Sequence, residues 1–113
     1  YSGIYFMPDY PISNIIFSGK KDEKIERSLR LTNILHDKNI PHAVLCINND
    51  IYVIPVKNDI IPGFIGRIGG CELAGIMPVL NKKEFKIAHE RGVNEILKPG
   101  GYKKEELNLA NLL

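Results

Sequence analysis

Three histidines, two cysteines and one glycine-rich loop hold most of the chemistry open to this sequence. No two of His36, His42 and His89 fall two residues apart, the spacing that sets a pair of imidazoles on one face of a strand, and none has the companions that a metal would need. His42 opens an apolar run and His36 lies near a helical stripe, so both read as packing or surface residues. Cys46 and Cys71 lack CxxC spacing; Cys46, inside an apolar run, reads as a core residue with an inert thiol, and the pair suits the reduced state of a cytosolic protein. Lys20 and Lys21 stand near a helix start, where anions bind, but beside Asp22 and Glu23 they read as a mixed-charge cap. The stretch Gly66-Arg67-Ile68-Gly69-Gly70-Cys71-Glu72 is richer. Arg67 can pair with a phosphate, or carry plain surface charge. Gly69-Gly70 lets backbone approach a ligand, or forms a turn entering a strand; Glu72 can accept hydrogen bonds from neighbouring hydroxyls, or be a solvated carboxylate. No catalytic residue, metal ligand or cofactor site is expected.

The elements that position these groups follow from punctuation and period. Ser13–Ser18 is a short strand between prolines and Gly19. From Asp22 to Lys38 apolar positions recur at Ile25, Leu29, Thr32 and Leu35, widened by Leu31 and Ile34, which predicts an amphipathic helix that ends at Asn39-Ile40-Pro41. His42–Ile47 and Ile51–Val56 are continuous apolar runs about Asn48-Asn49-Asp50 and predict a β-hairpin, covered on one face by the helix and on the other by more protein. Lys57–Gly70 is a long loop and a functional candidate. Leu73–Leu80 is expected as a further strand, with Pro78 at an edge or bulge and Gly75 permitting close packing. Lys82–Glu90 and Lys103–Leu113 are expected helices about a break at Pro99-Gly100-Gly101.

These elements imply one α+β domain over residues 1–113: a mainly antiparallel sheet with a helix packed on one face. Hydrophobic residues make up 44% and charged residues 25%. That balance excludes disordered, collagenous and coiled-coil classes. The net charge of +2 comes from 15 basic and 13 acidic residues spread along the chain, whereas a nucleic-acid footprint needs them gathered on one face. No apolar run approaches the roughly 20 residues that span a bilayer. The expected partners therefore include neither nucleic acid nor membrane, and the expected compartment is the cytoplasm.

Four stretches carry a family resemblance: Tyr10–Gly19 (YPISNIIFSG), Asn39–Val56 (NIPHAVLCINNDIYVIPV), Glu72–Leu80 (ELAGIMPVL) and Lys82-Lys83-Glu84-Phe85. In this order they resemble the C-terminal half of the GDP-L-galactose and GDP-D-glucose phosphorylases, of the histidine-triad and galactose-1-phosphate uridylyltransferase superfamily. The resemblance implies a histidine-triad-like half, cytoplasmic and dimeric by habit, within a nucleotidyltransferase. In that chemistry the central His of a His-x-His-x-His or His-x-His-x-Gln strand attacks the α-phosphate of a nucleotide sugar. This sequence has no such strand, so the resemblance casts it as the non-catalytic half, completing the fold and part of the sugar pocket for a histidine-bearing N-terminal half. In the uridylyltransferases a Glu at the position of Glu72 binds sugar hydroxyls, which makes Arg67, Gly69, Gly70 and Glu72 the expected substrate-binding residues. Cys71 replaces the usual aromatic before that Glu, and Gly66-Arg67 a basic and aromatic pair. Two alternatives stay open: a free-standing interaction domain that dimerises through its sheet with a second copy of itself, and half of a dinucleoside polyphosphate phosphorylase.

Overall fold

The hairpin is the frame on which the chain is built. In a computed structural model, which describes residues 3–113, β3 (His42–Ile47) and β4 (Asp50–Pro55) pair in register from His42↔Pro55 to Ile47↔Asp50. Asn48 and Asn49 take φ of 51° and 67°, the left-handed pair that a two-residue hairpin turn demands and that asparagine tolerates. β4 also pairs antiparallel with β2 (Ile15–Phe17), which pairs with β1 (Ile4–Tyr5), giving the order β1-β2-β4-β3. The sheet is therefore antiparallel throughout, as expected, and β3 is an edge strand.

Alternation along β4 builds two cores. On one face Val53, Ile15 and Phe17 pack with Leu31 and Leu35 of α1 (Lys21–Asp37) and with Leu109. On the other, Ile54 joins Ile12, Val56, Ile61, Ile68, Leu73, Ile96 and Leu97. The second cover of β4 thus comes from the same chain. Its pieces are short: α2 (Gly70–Leu73), α3 (Lys82–Arg91), α4 (Val93–Leu97) and a 3₁₀ turn (Lys98–Gly100). A second 3₁₀ turn (Leu109–Leu112) seats Leu109 against the α1 face.

Helix α1 stops as its sequence requires. Asn39 adopts φ 56°, its N–H donates to the His36 carbonyl and the Ile40 N–H to that of Leu35, the reciprocal closure of a left-handed C-terminal cap ahead of Pro41. Which face it buries differs from expectation. Ser28, Leu31 and Leu35 are buried, while Ile25 is exposed and Leu29 is 55% exposed. The true stripe is one residue, about 100°, around from Ile25-Leu29-Thr32. Ser28 fits against the sheet because its hydroxyl donates to the Ile25 carbonyl at 3.0 Å, leaving no polar group unsatisfied.

Two other expected elements are absent. Leu73–Leu80 is not a strand: α2 closes through Gly75 at φ 90°, the Ile76 N–H turns back to the Cys71 carbonyl, Pro78 has no N–H to pair, and Ile76 and Leu80 are exposed. The fourth strand is β1 instead. Residues 103–113 do not form one helix either, because the Asn108 side chain accepts the Ala110 N–H at 3.1 Å and starts a separate turn. Cys46 is also exposed rather than in the core, because β3 is an edge whose outer residues α1 does not reach.

Leu35 is fully buried, so Leu35→Ala should destabilise by about 2–5 kcal/mol in urea unfolding. Leu29→Ala should stay within about 0.5 kcal/mol, as at other surface positions; equal losses would mean that the stripe is wrongly placed.

Candidate functional site

The loop after β4 is held by backbone contacts before any side chain acts. Lys57 and Asn58 donate their N–H groups to the Gly100 carbonyl at 2.7 and 3.1 Å, and the Ile68 N–H donates to the Asp59 carbonyl at 2.8 Å. Ile60 and Arg67 form an isolated bridge that closes the loop on itself, and Ile61 and Ile68 pin its two limbs in the core. Only glycine fits at position 100, since a Cβ there would lie 2.2 Å from Ile68 Cδ1 and 2.7 Å from the Asn58 carbonyl oxygen.

A buried carboxylate fixes the middle of the loop. Glu84, 1% exposed, accepts the N–H of Ile65 at Oε2 and that of Leu80 at Oε1, both at 3.1 Å. Asn81 caps α3 by accepting the Glu84 N–H at 2.9 Å, so Asn81-x-x-Glu84 is a capping motif whose carboxylate also reaches across to the loop. Nothing in the periodicity marks that reach, although the Asn-x-x-Glu spacing is legible. Asn14, also buried, likewise fastens both the N–H and the carbonyl of Met7. Tyr10 donates its hydroxyl to the Leu73 carbonyl, and burial pushes its pKa up to about 12.

The four residues expected to bind substrate lie together on this loop and the start of α2. Arg67 pairs with Asp59 at 2.9 Å. The Gly69 N–H donates to Glu72 Oε1 at 2.7 Å, and Gly70 packs against Leu45. Glu72 is 9% exposed: it is neither solvated nor at a strand start, but closes the first turn of a short helix.

Beside this loop is a cleft of about 470 Å³ between the start of β3, the Val56–Asp59 segment and the Ile68–Leu73 segment. Gly69 lines it, with Ala43, Val56, Ile68 and Leu73 as apolar wall and His42 at its rim. Its one lining cation, Lys57, is bound to Glu106 at 2.5 Å. That hydrogen bond raises the Lys57 pKa above the usual lysine value and lowers that of Glu106 below the usual carboxylate range, so both are charged at neutral pH. The histidines are dispersed: His36 on α1, His42 on β3 and His89 stacked on Phe85 of α3. Among the described residues no group of three or more His, Cys, Asp or Glu could hold a metal ion, and no helix is long and apolar enough to cross a membrane.

The family model described as GDPGP1-like, C-terminal domain matches residues 2–107. The chain belongs to that family. It is the C-terminal domain of a GDP-hexose phosphorylase-like protein. The match runs from β1 to Leu107 and so takes in the sheet, both of its covers and the cleft. Comparisons with curated proteins and with solved structures gave no match.

Glu84→Ala would leave the Ile65 and Leu80 N–H groups without their acceptor. A loss of about 1–3 kcal/mol is expected, with faster amide exchange at Ile65 than at Val53. Unchanged exchange at Ile65 would show that the loop is held without the carboxylate.

Proposed function

We propose that this domain is the non-catalytic half of a nucleotide-sugar phosphorylase, completing the fold and forming one wall of the sugar pocket for a histidine-bearing half. The observation that carries the reading is the cleft. The loop that resembles the uridylyltransferase sugar site borders it, its wall is apolar, and its lining cation is already neutralised. A hexose ring suits such a surface, with C–H patches for the apolar wall and hydroxyls for the polar rim. Gly69 brings backbone to the ligand, Arg67 orients Asp59, and Glu72 holds the Gly69 N–H through Oε1 and so shapes the turn that borders the cleft. The attacking imidazole comes from the other half, which separates nucleophile from sugar contacts. Two exposed free cysteines suit a reducing compartment, which supports reading the assembled enzyme as cytoplasmic.

One observation favours a second reading, the interaction domain. Edge strand β3 has no lysine, proline or bulge to deter another strand, and it exposes Cys46, Ile47 and Val44, the last 49% exposed. The same edge that would seat the histidine-bearing half would seat a second copy of this chain.

The deciding assay measures phosphate-dependent nucleotide release by each half alone and by the mixture, with GDP-glucose, GDP-galactose and a diadenosine polyphosphate. This chain alone should be silent and the mixture active on a GDP-hexose. Turnover by this chain alone contradicts the division of roles, and a silent mixture of folded, associated halves favours the interaction domain. In the active mixture Glu72→Gln should lower kcat/KM for the nucleotide sugar about tenfold or more, through loss of the charge-assisted hydrogen bond that holds Gly69 in the wall of the cleft. Unaltered kinetics would leave Glu72 a helix-turn residue only.

A further inference from the structure

The residues best placed to read a ligand in the cleft are ones that the motif does not include. Arg67 is tied to Asp59 and Glu72 to Gly69, and neither Arg67 nor Glu72 lines the cleft. The polar side chains that do line it are His42, Lys57, Asn58 and Asp59. Their unused hydrogen-bonding atoms follow from the bonds they already make.

His42 Nδ1 lies 3.0 Å from the Ile40 carbonyl oxygen. A carbonyl can only accept, so in the neutral ring the proton sits on Nδ1 and Nε2 is the acceptor. Asn58 Oδ1 accepts the Ile60 N–H at 3.0 Å, which leaves its amide N–H₂ to donate. Asp59 Oδ1 accepts from Arg67, which leaves Oδ2 as an acceptor whose charge is partly balanced. Lys57 is committed to Glu106. An unpaired cation, the group that a phosphate would seek first, is thus absent from the lining residues. What remains is one donor and two acceptors beside an apolar wall, in a volume of about 470 Å³, within the roughly 300–1,000 Å³ of small-molecule sites.

We infer that His42, Asn58 and Asp59 read the hydroxyls of a neutral hexose ring lying against Val56 and Ile68. The inference rests on the sugar-pocket reading above and assigns its contacts. His42 is a specificity residue here: its acceptor nitrogen selects a ligand group that can donate, which a hydroxyl can and an ionised phosphate oxygen cannot.

The test is a titration of the ¹⁵N-labelled chain with free glucose and galactose, with inorganic phosphate and GDP as separate probes. Hexose raised into the millimolar range should shift the amides of Ala43, Asn58, Ile68 and Gly69 in a saturable way, while phosphate leaves them in place. His42→Phe and Asn58→Ala should each weaken the response about two- to tenfold, as loss of a single hydrogen bond does, with the rest of the spectrum unchanged. Either variant that disturbs the whole spectrum is replaced by Asp59→Asn, expected to act in the same direction. Absence of a hexose response overturns the inference. So do shifts caused by phosphate instead of hexose, or wild-type affinity in the variants. The mixed-halves assay separates the two levels: an active mixture with a cleft indifferent to hexose removes this inference alone, and a hexose-responsive cleft in a silent mixture removes the phosphorylase reading while leaving the sugar contacts in place.

Discussion

Strand β4 has no side that can face water, and the rest of the domain answers to that. Val53 and Ile54 are adjacent and buried on opposite faces, so the sheet needs a cover on each side. Helix α1 is the first, laid down by a regular stripe and a firm stop at Asn39. The second has to come from chain further on. It is assembled from a loop, three short helices and turns rather than from one long element, because the sequence between Lys57 and Gly101 is broken by glycine and proline too often to hold one.

An irregular cover needs its own fastenings, and these are what shape the cleft. Gly100 admits the close crossing of the 98–101 turn over Asn58 and Ile68. The Glu84 carboxylate ties the loop at Ile65 to the start of α3, and Tyr10 holds the end of α2 by the Leu73 carbonyl. Where this second layer meets the opening of β3, it leaves a groove beside Pro41 and His42 instead of sealing it. Pairing of Lys57 with Glu106 and of Arg67 with Asp59 then sets the groove's character, since both cations arrive with their charges answered.

Local chemistry was legible where one residue type decides the outcome. Two adjacent asparagines placed the hairpin turn, and Asn39-Ile40-Pro41 placed the end of α1. The buried face of that helix was not legible, because the apolar residues support two neighbouring stripes that share Leu35, and only the sheet selects the one containing a serine. Leu73–Leu80 has the composition of a strand, but α2 takes Leu73, Gly75 turns the chain back on Cys71 and Pro78 has no N–H to pair, so Ile4–Tyr5 supplies the fourth strand instead. The surroundings of Glu84 and His42 depend on segments far along the chain: an Asn-x-x-Glu motif foretells a helix cap but not a bond to a residue 19 positions earlier, and an apolar run opening with histidine does not say that its strand lies at an edge, beside a groove. The family membership, by contrast, was carried by short words spread over Tyr10–Phe85, and the matched residues 2–107 include them all.

The central proposal is that covering both faces of one strand yields a sugar-reading cleft, while the attacking imidazole comes from the histidine-bearing half. A structure of the two associated halves with a non-cleavable GDP-hexose analogue tests it most directly. The account predicts the hexose ring against Val56 and Ile68, hydroxyls within hydrogen-bonding distance of His42 and Asn58, and a histidine from the other half at the α-phosphate. A hexose enclosed wholly by the other half, with this cleft turned away from it, would contradict the account.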